Sequence, residues 1–256
     1  MKGFIFDLDG TIYLGERAIP GAAEAVNTLL RRGDRVVFLS NKPIATRRSY
    51  VQKLNQLGIP AEESNVIHAS MVTARLLKER LKPHEQVLVI GERPIREELR
   101  EHGVKLTYWP DQARYVLLSW DRDLTYEKLN RAYQAWRHGA ELIASNPDRT
   151  CPVEGGELPD TAALIGAMEA LTGERIRLVA GKPSLFMAQA ALEVLKLSAA
   201  DCWMVGDRLE TDIRMAVEAG MRAALVLTGV STRSMVEGCS HPPDRILDSV
   251  AQVVEL

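Results

Sequence analysis

The 256-residue chain predicts an α/β fold, a Rossmann-like parallel sheet with a second, smaller α/β unit inserted into it. Three observations carry this. The run Phe4–Phe6 is apolar on both faces, as in a strand buried mid-sheet, and it stops at Asp7-Leu8-Asp9-Gly10-Thr11, a turn-forming end. Further short apolar runs, RVVFL at Arg35–Leu39, QVLVI at Gln86–Ile90 and CWMVG at Cys202–Gly206, each lead into a polar stretch. Between them, apolar residues recur at helical spacing, so strands and helices alternate.

In open α/β sheets, ligands sit beyond the carboxyl ends of the strands. Asp7 and Asp9 stand there after the first run. Two carboxylates this close repel each other unless neutralised, and a divalent cation does so with oxygen ligands. A single Asp after a strand would read as a turn residue; the pair reads as a site.

Composition narrows the function. Formal net charge is −2, which calls for neither a nucleic acid polymer nor an anionic membrane as partner. Cys151, Cys202 and Cys239 are odd in number and far apart, neither a disulfide framework nor a zinc pattern. The five histidines form no metal-binding pair. No apolar run is long enough to span a bilayer. The first strand leaves no room for a signal peptide, and the expected location is reducing and cytoplasmic. No GxGxxG follows the first strand, which argues against a dinucleotide-binding oxidoreductase.

FIFDLDGTIY resembles the first motif of the haloacid-dehalogenase (HAD) superfamily in its phosphatase form, DxDGT. The resemblance implies that Asp7 is a nucleophile toward phosphorus and Asp9 a general acid/base, with Gly10 at the phosphate. Dehalogenating members lack the second Asp, which argues against that chemistry.

The remaining elements follow in order. Ala22, Val26, Leu29 and Leu30 mark a helix that Gly33 ends. Arg35–Leu39 is a strand ending in Ser40-Asn41, similar to the second motif, whose hydroxyl and following amide hold phosphoryl oxygens. The same residues also read as a helix N-cap, and both readings are compatible, since a helix N-terminus is itself an anion site. The interval before Ser40 holds one helix and one strand, too little for the helical cap of superfamily mutases and dehalogenases. Residues 46–57 form a helix closed by Gly58, 65–68 a short strand and 69–81 another helix. His68 follows that strand; as a lone histidine it reads as packed rather than functional.

Lys82-Pro83-His84-Glu85 reads as a boundary. Strands at 86–90, 104–108, 115–120 and 141–144 alternate with helices at 94–102 and 124–138, a β-α-β-β-α-β unit. Ser145-Asn146-Pro147-Asp148, the loop Thr150–Glu157 and a helix at 159–171 complete it. The expected division is a discontinuous core, 1–81 and 177–256, and an α/β cap for substrate selection, 82–176. The stretch SNPDRTCPVEGGELPDTAALIGAMEALTG resembles the NagD and p-nitrophenylphosphatase branch of the superfamily, which inserts such a cap. Asn146 and Asp148 then become candidate substrate contacts, or an Asx turn before Pro. Asp160-Thr161 departs from the branch pattern: many relatives have Gly there, at a position facing their active site.

Arg175–Ala180 reads as a strand returning the chain to the core. Gly181-Lys182-Pro183 resembles the third motif, whose Lys neutralises nucleophile and phosphoryl group. After Cys202–Gly206, GDRLETD resembles the fourth. By resemblance Asp207 binds Mg²⁺ directly and Asp212 is an outer-shell partner; the rival readings are a helix cap for Asp207 and a surface acid for Asp212. Glu210 reads as surface. Ala223–Leu227 is a strand, Ser231 a candidate cap for the next helix, and 246–247 and 250–256 the last strand and helix.

The resemblance implies Mg²⁺ held by Asp7, the Asp9 carbonyl, Asp207 and water, and a homodimer through the cap. It implies hydrolysis of small phosphate esters (sugar phosphate, nucleotide or aryl phosphate) through an aspartyl phosphate. Two other classes stay open, a phosphotransferase or phosphomutase on the same core and a non-catalytic phosphometabolite-binding module.

Overall fold

The structure, a computed structural model, describes residues 1–153 and 155–256; Glu154, inside the expected Thr150–Glu157 loop, lies outside the described residues. It is α/β throughout. Six parallel strands form the first sheet in the order Arg245–Leu247, Arg222–Val226, Cys202–Gly206, Gly3–Asp7, Arg35–Ser40, Val66–His68. Gly3–Asp7 is central and buried along its whole length. Its alternate side chains enter opposite apolar layers: Ile5 joins Val37, Leu39 and Met204, whereas Phe4 and Phe6 join Val36, Phe38 and Val205. This is the pleat period of two acting on a strand with no solvent face.

A second, five-stranded parallel sheet runs Leu178–Val179, Glu141–Ala144, Ala113–Leu118, Gln86–Ile90, Leu106–Thr107. One of its faces, through Leu88, Ile90, Val116 and Leu118, packs on Leu164 and Met168 of the helix Thr161–Thr172 and Ala132 and Ala135 of the helix Tyr126–Arg137. The other face, through Val87, Val89, Leu117 and Ile143, joins the same apolar layer as Ile5 and Ile67 of the first sheet. The two sheets therefore share one continuous core. No helix among the described residues is long and apolar enough to cross a membrane.

Four expectations change. Leu178–Val179 pairs with Ile143–Ala144 in the second sheet, so the strand expected at 175–180 does not itself return to the first. Arg175 and Arg177 are too exposed for a buried strand, and only the last residues pair. The expected loop after Thr150 is an antiparallel pair, Thr150–Val153 with Gly156–Pro159, which its Pro and Gly content disguised. The helix expected from Pro159 begins at Thr161, because the Asp160 carboxylate accepts the Thr161 N–H and caps it. Ser231 does not cap a following helix: its hydroxyl accepts the Leu209 N–H, and Thr232 precedes the helix Arg233–Val236.

Candidate active site

Parallel strands place their carboxyl ends on one edge. The register pairs Asp7 with Leu39 and Phe6 with Val205, so Asp7, Ser40 and Asp207 emerge side by side. Lys182 arrives from the second sheet, in the turn between Leu178–Val179 and the helix Leu185–Leu195, which Ser184 caps. A Cβ at Gly181 would lie 2.6 Å from both the Asn41 Oδ1 and the Ser145 carbonyl, so only glycine lets this turn pass.

The Lys182 ammonium contacts Asp7 Oδ1 and lies 2.7 Å from Asp212 Oδ1. Burial alone would lower its pKa; Asp212 and Asp7 more than reverse this and hold it protonated. Asp212 is fully buried, and its Oδ2 accepts the Arg208 N–H at 3.1 Å, so the surface-acid reading fails. Asp207 does not cap a helix. Its Oδ2 accepts the Val230 N–H at 2.7 Å, and its Oδ1 is buried without a hydrogen-bond partner among the described residues.

Carboxylate oxygens of Asp7, Asp207 and Asp212 all lie within 4.8 Å of one another. Burial raises the Asp7 pKa well above the carboxylate range, with Asp212 and Asp207 adding to it against Lys182. Burial, then Asp212, pushes Asp207 up to about 7. Three buried acids against one lysine leave negative charge uncompensated. A divalent cation fits that excess, and Asp207 Oδ1 is the orphaned oxygen it would take. The Asp9 carboxylate stands outside this cluster, 3.6 Å from Lys42 Nζ.

A cavity of about 40 Å³ lies between the sheets. Asp7, Asp9, Ser40, Asn41, Lys42, Lys182, Arg208 and Thr211 wall it on one side. Asp148, Thr150, Cys151, Pro152 and Asp160 wall it on the other. Ser40 Oγ accepts the Lys42 N–H and donates to Tyr50 Oη at 3.0 Å. Asn41 Oδ1 accepts the Lys182 N–H at 2.8 Å, and its Nδ2 donates to the Lys182 carbonyl and to Asp148 Oδ2.

Two expected phosphate or substrate contacts, Gly10 and Asn146, do not line this cavity. Gly10 donates its N–H to the Tyr13 carbonyl and does not line the cavity. It is glycine because φ is +87° and a Cβ would sit 2.7 Å from Asp207 Oδ2. Asn146 is fully buried and also absent from the cavity wall, its amide bonded to Asp148, Asp160, Thr161 and Ser145. His68 is a packed histidine, buried 3.5 Å from Glu98 of the second unit. Sequence reading missed Lys42, Arg208, Thr211, Cys151 and Pro152. Lys42 and Arg208 directly follow motif residues and carried a usable signal; the others depend on how the second unit folds over.

The haloacid dehalogenase-like hydrolase pattern matches residues 4–105, and the HAD-hydrolase-like pattern residues 179–253. Sugar-phosphatase AraL of Bacillus subtilis is 41% identical over 254 residues, covering 99% of this chain and 92% of its own. The 5'-nucleotidase YutF of the same organism is 36% identical over 251 residues, with 98% and 96% covered. Among solved structures, the p-nitrophenyl phosphatase from Archaeoglobus fulgidus superposes with a TM-score of 0.92 at 35% identity, covering 99% of this chain and 98% of that one. NagD from E. coli K-12 superposes at 0.88 with 29% identity and 98% of each chain covered.

Proposed function

The chain belongs to the haloacid dehalogenase-like hydrolase family and is a phosphoric monoester hydrolase; from that premise we propose that it is an Mg²⁺-dependent, aspartyl-phosphate-forming phosphatase of small metabolites, with Asp7 as nucleophile. One observation supports this above others. The Lys182 ammonium lies between Asp7 and Asp212 at the end of the central strand, in a buried cluster of three carboxylates.

Asp7 attacks phosphorus in line and displaces the leaving oxygen. Asp9, outside the acidic cluster, protonates that oxygen and then deprotonates the water that hydrolyses the aspartyl phosphate. Lys182 offsets the repulsion between the anionic nucleophile and the phosphoryl oxygens. Asp212 holds Lys182 protonated and in place. Ser40 binds a phosphoryl oxygen, and Asn41 fixes the turn that carries Lys182. Mg²⁺ would be held by Asp7, Asp207 and the Asp9 carbonyl, and when bound supplies positive charge at the phosphoryl group. The second unit, residues 82 to about 180, acts as a cap that excludes water and reads the leaving group. Sugar phosphates are the first substrate class, with nucleotides and aryl phosphates next; the relatives' names support these three. A cytoplasmic location, with no polymer or membrane partner, and a homodimer through the cap complete the proposal.

The test is phosphate release from p-nitrophenyl phosphate and a panel of sugar phosphates, with Mg²⁺ or EDTA, comparing the native chain with Asp7→Asn. Metal-dependent turnover lost in the variant is expected. Turnover that survives Asp7→Asn would remove Asp7 as nucleophile.

A further inference from the structure

Asp160 has an arrangement that helix capping does not account for. Its residue surface is 6% exposed. Among the described residues only Oδ1 of its carboxylate is hydrogen-bonded, accepting the Thr161 N–H at 2.5 Å and an Asn146 Nδ2 hydrogen at 3.1 Å. Asn146 is itself pinned, since its Oδ1 accepts from Ser145 Oγ and Thr161 Oγ1. The carboxylate is therefore held in one orientation. Oδ2 has no partner among the described residues, yet Asp160 lines the same cavity as Asp7 and Asp9. It also lines an adjoining pocket of about 460 Å³ with Trp120, Leu158 and Pro159. A cap with a single polar purpose needs one oxygen. Here the second is kept open beside the space where a leaving group must lie.

The chemistry of that oxygen limits what it accepts. The phosphoryl group belongs against Lys182 and Asp7, on the opposite wall. A second anionic group beside Asp160 would meet both its charge and that of Asp148, which lines the same wall. A hydroxyl donor would give it a charge-assisted hydrogen bond. We propose that Asp160 is a specificity-determining residue whose Oδ2 accepts a hydroxyl of the leaving group, selecting polyhydroxylated, sugar-like phosphate esters that carry no second anionic group. This rests on the phosphatase reading above.

The experiment compares native protein with Asp160→Asn and Asp160→Gly on glycerol 3-phosphate, ribose 5-phosphate and glucose 6-phosphate, against hydroxyl-free p-nitrophenyl phosphate, with Mg²⁺ present. Asn and Gly are both accepted helix N-caps, so folding should survive, which thermal melting checks. For the best polyol phosphate, kcat/KM should fall about tenfold or more in Asp160→Gly, mainly through KM. Asp160→Asn should fall in the same direction, and p-nitrophenyl phosphate should stay within about twofold. An equal loss on both substrate types, or no loss on the polyol phosphates, overturns the assignment. So does native turnover of p-nitrophenyl phosphate with none of the polyol panel. Native turnover of nothing would instead overturn the phosphatase reading, and this assignment with it.

Discussion

Asn41 and Asp148 meet across the seam between the two sheets, with Asn41 Nδ2 donating to Asp148 Oδ2 at 2.9 Å. The same Asn41 amide brackets the Lys182 backbone through both its N–H and its carbonyl. Asp148 also receives Asn146 Nδ2 at 2.9 Å and lies 3.9 Å from the Arg208 guanidinium. One side-chain pair thus ties the second unit to the turn that presents the lysine.

Breaking that tie should loosen the site without removing a reacting group. Asn41→Ala and Asp148→Ala should each cost about 1–3 kcal/mol of stability, because each leaves buried partners unpaired. They should raise KM more than they lower kcat. The double variant should lose less than the sum, since both remove the same bond. Denaturant melts and steady-state kinetics on the four proteins measure this.

Lys182→Met removes the only cation among the described residues that contacts the Asp7–Asp212 pair. Phosphate release should fall by about 10²–10³ or more. Metal-free stability should fall by about 3–5 kcal/mol, as expected for a buried ion pair broken from one side. Excess Mg²⁺ should recover part of the stability and little of the rate. A Lys182→Met protein with near-native turnover would remove the lysine from the mechanism.

Asp207 makes the metal-free fold lose stability as pH rises. Its folded pKa, about 7, lies above the ordinary value of 3.8, so the folded chain binds its proton more tightly than the unfolded chain. That contribution is fully present below about pH 4 and is lost as pH rises through about 7. Asp7, raised by burial, acts in the same direction. In EDTA, these two groups should make stability decline between pH 5 and 8. Mg²⁺ favours the ionised form, so its stabilisation should be largest at pH 8 and small at pH 5. Thermal melts in EDTA and in MgCl₂ across that range check it; a metal effect independent of pH would contradict it.

Gly229 lies against the Asp207 side chain so closely that a Cβ there would overlap its carboxyl group. Gly229→Ala should displace Asp207 and weaken Mg²⁺ binding, reading as a higher metal concentration for half-maximal activity. By contrast, Gly33→Ala has nothing within 4 Å of its Cβ and only the strain of its φ of +80°, so it should lose stability and leave metal dependence alone.

The chain's local patterns were enough for the first sheet and for Asp7 and Asp207 at its strand ends. Apolar runs ending in Asp7, Ser40 and Asp207 specify buried parallel strands, and parallel strands bring their ends to one edge wherever they occur. Elsewhere local pattern misled. The Thr150–Val153 and Gly156–Pro159 pair reads as a loop because Pro and Gly interrupt it. Asp212 reads as an outer-shell partner only by resemblance, with a surface acid as its rival, because nothing near it in sequence reveals the lysine that it meets.

The α/β alternation and the strand-end chemistry are legible in the chain alone, since periodicity and turn residues are local properties. Tertiary packing alone puts Lys182 between Asp7 and Asp212 and sets Asn41 against Asp148. Each is a contact between groups far apart in the chain or on separate sheets, and it exists because the second sheet packs into the same apolar layer as the first. Hydrophobic burial sets that docking with no signature in the polar residues it brings together.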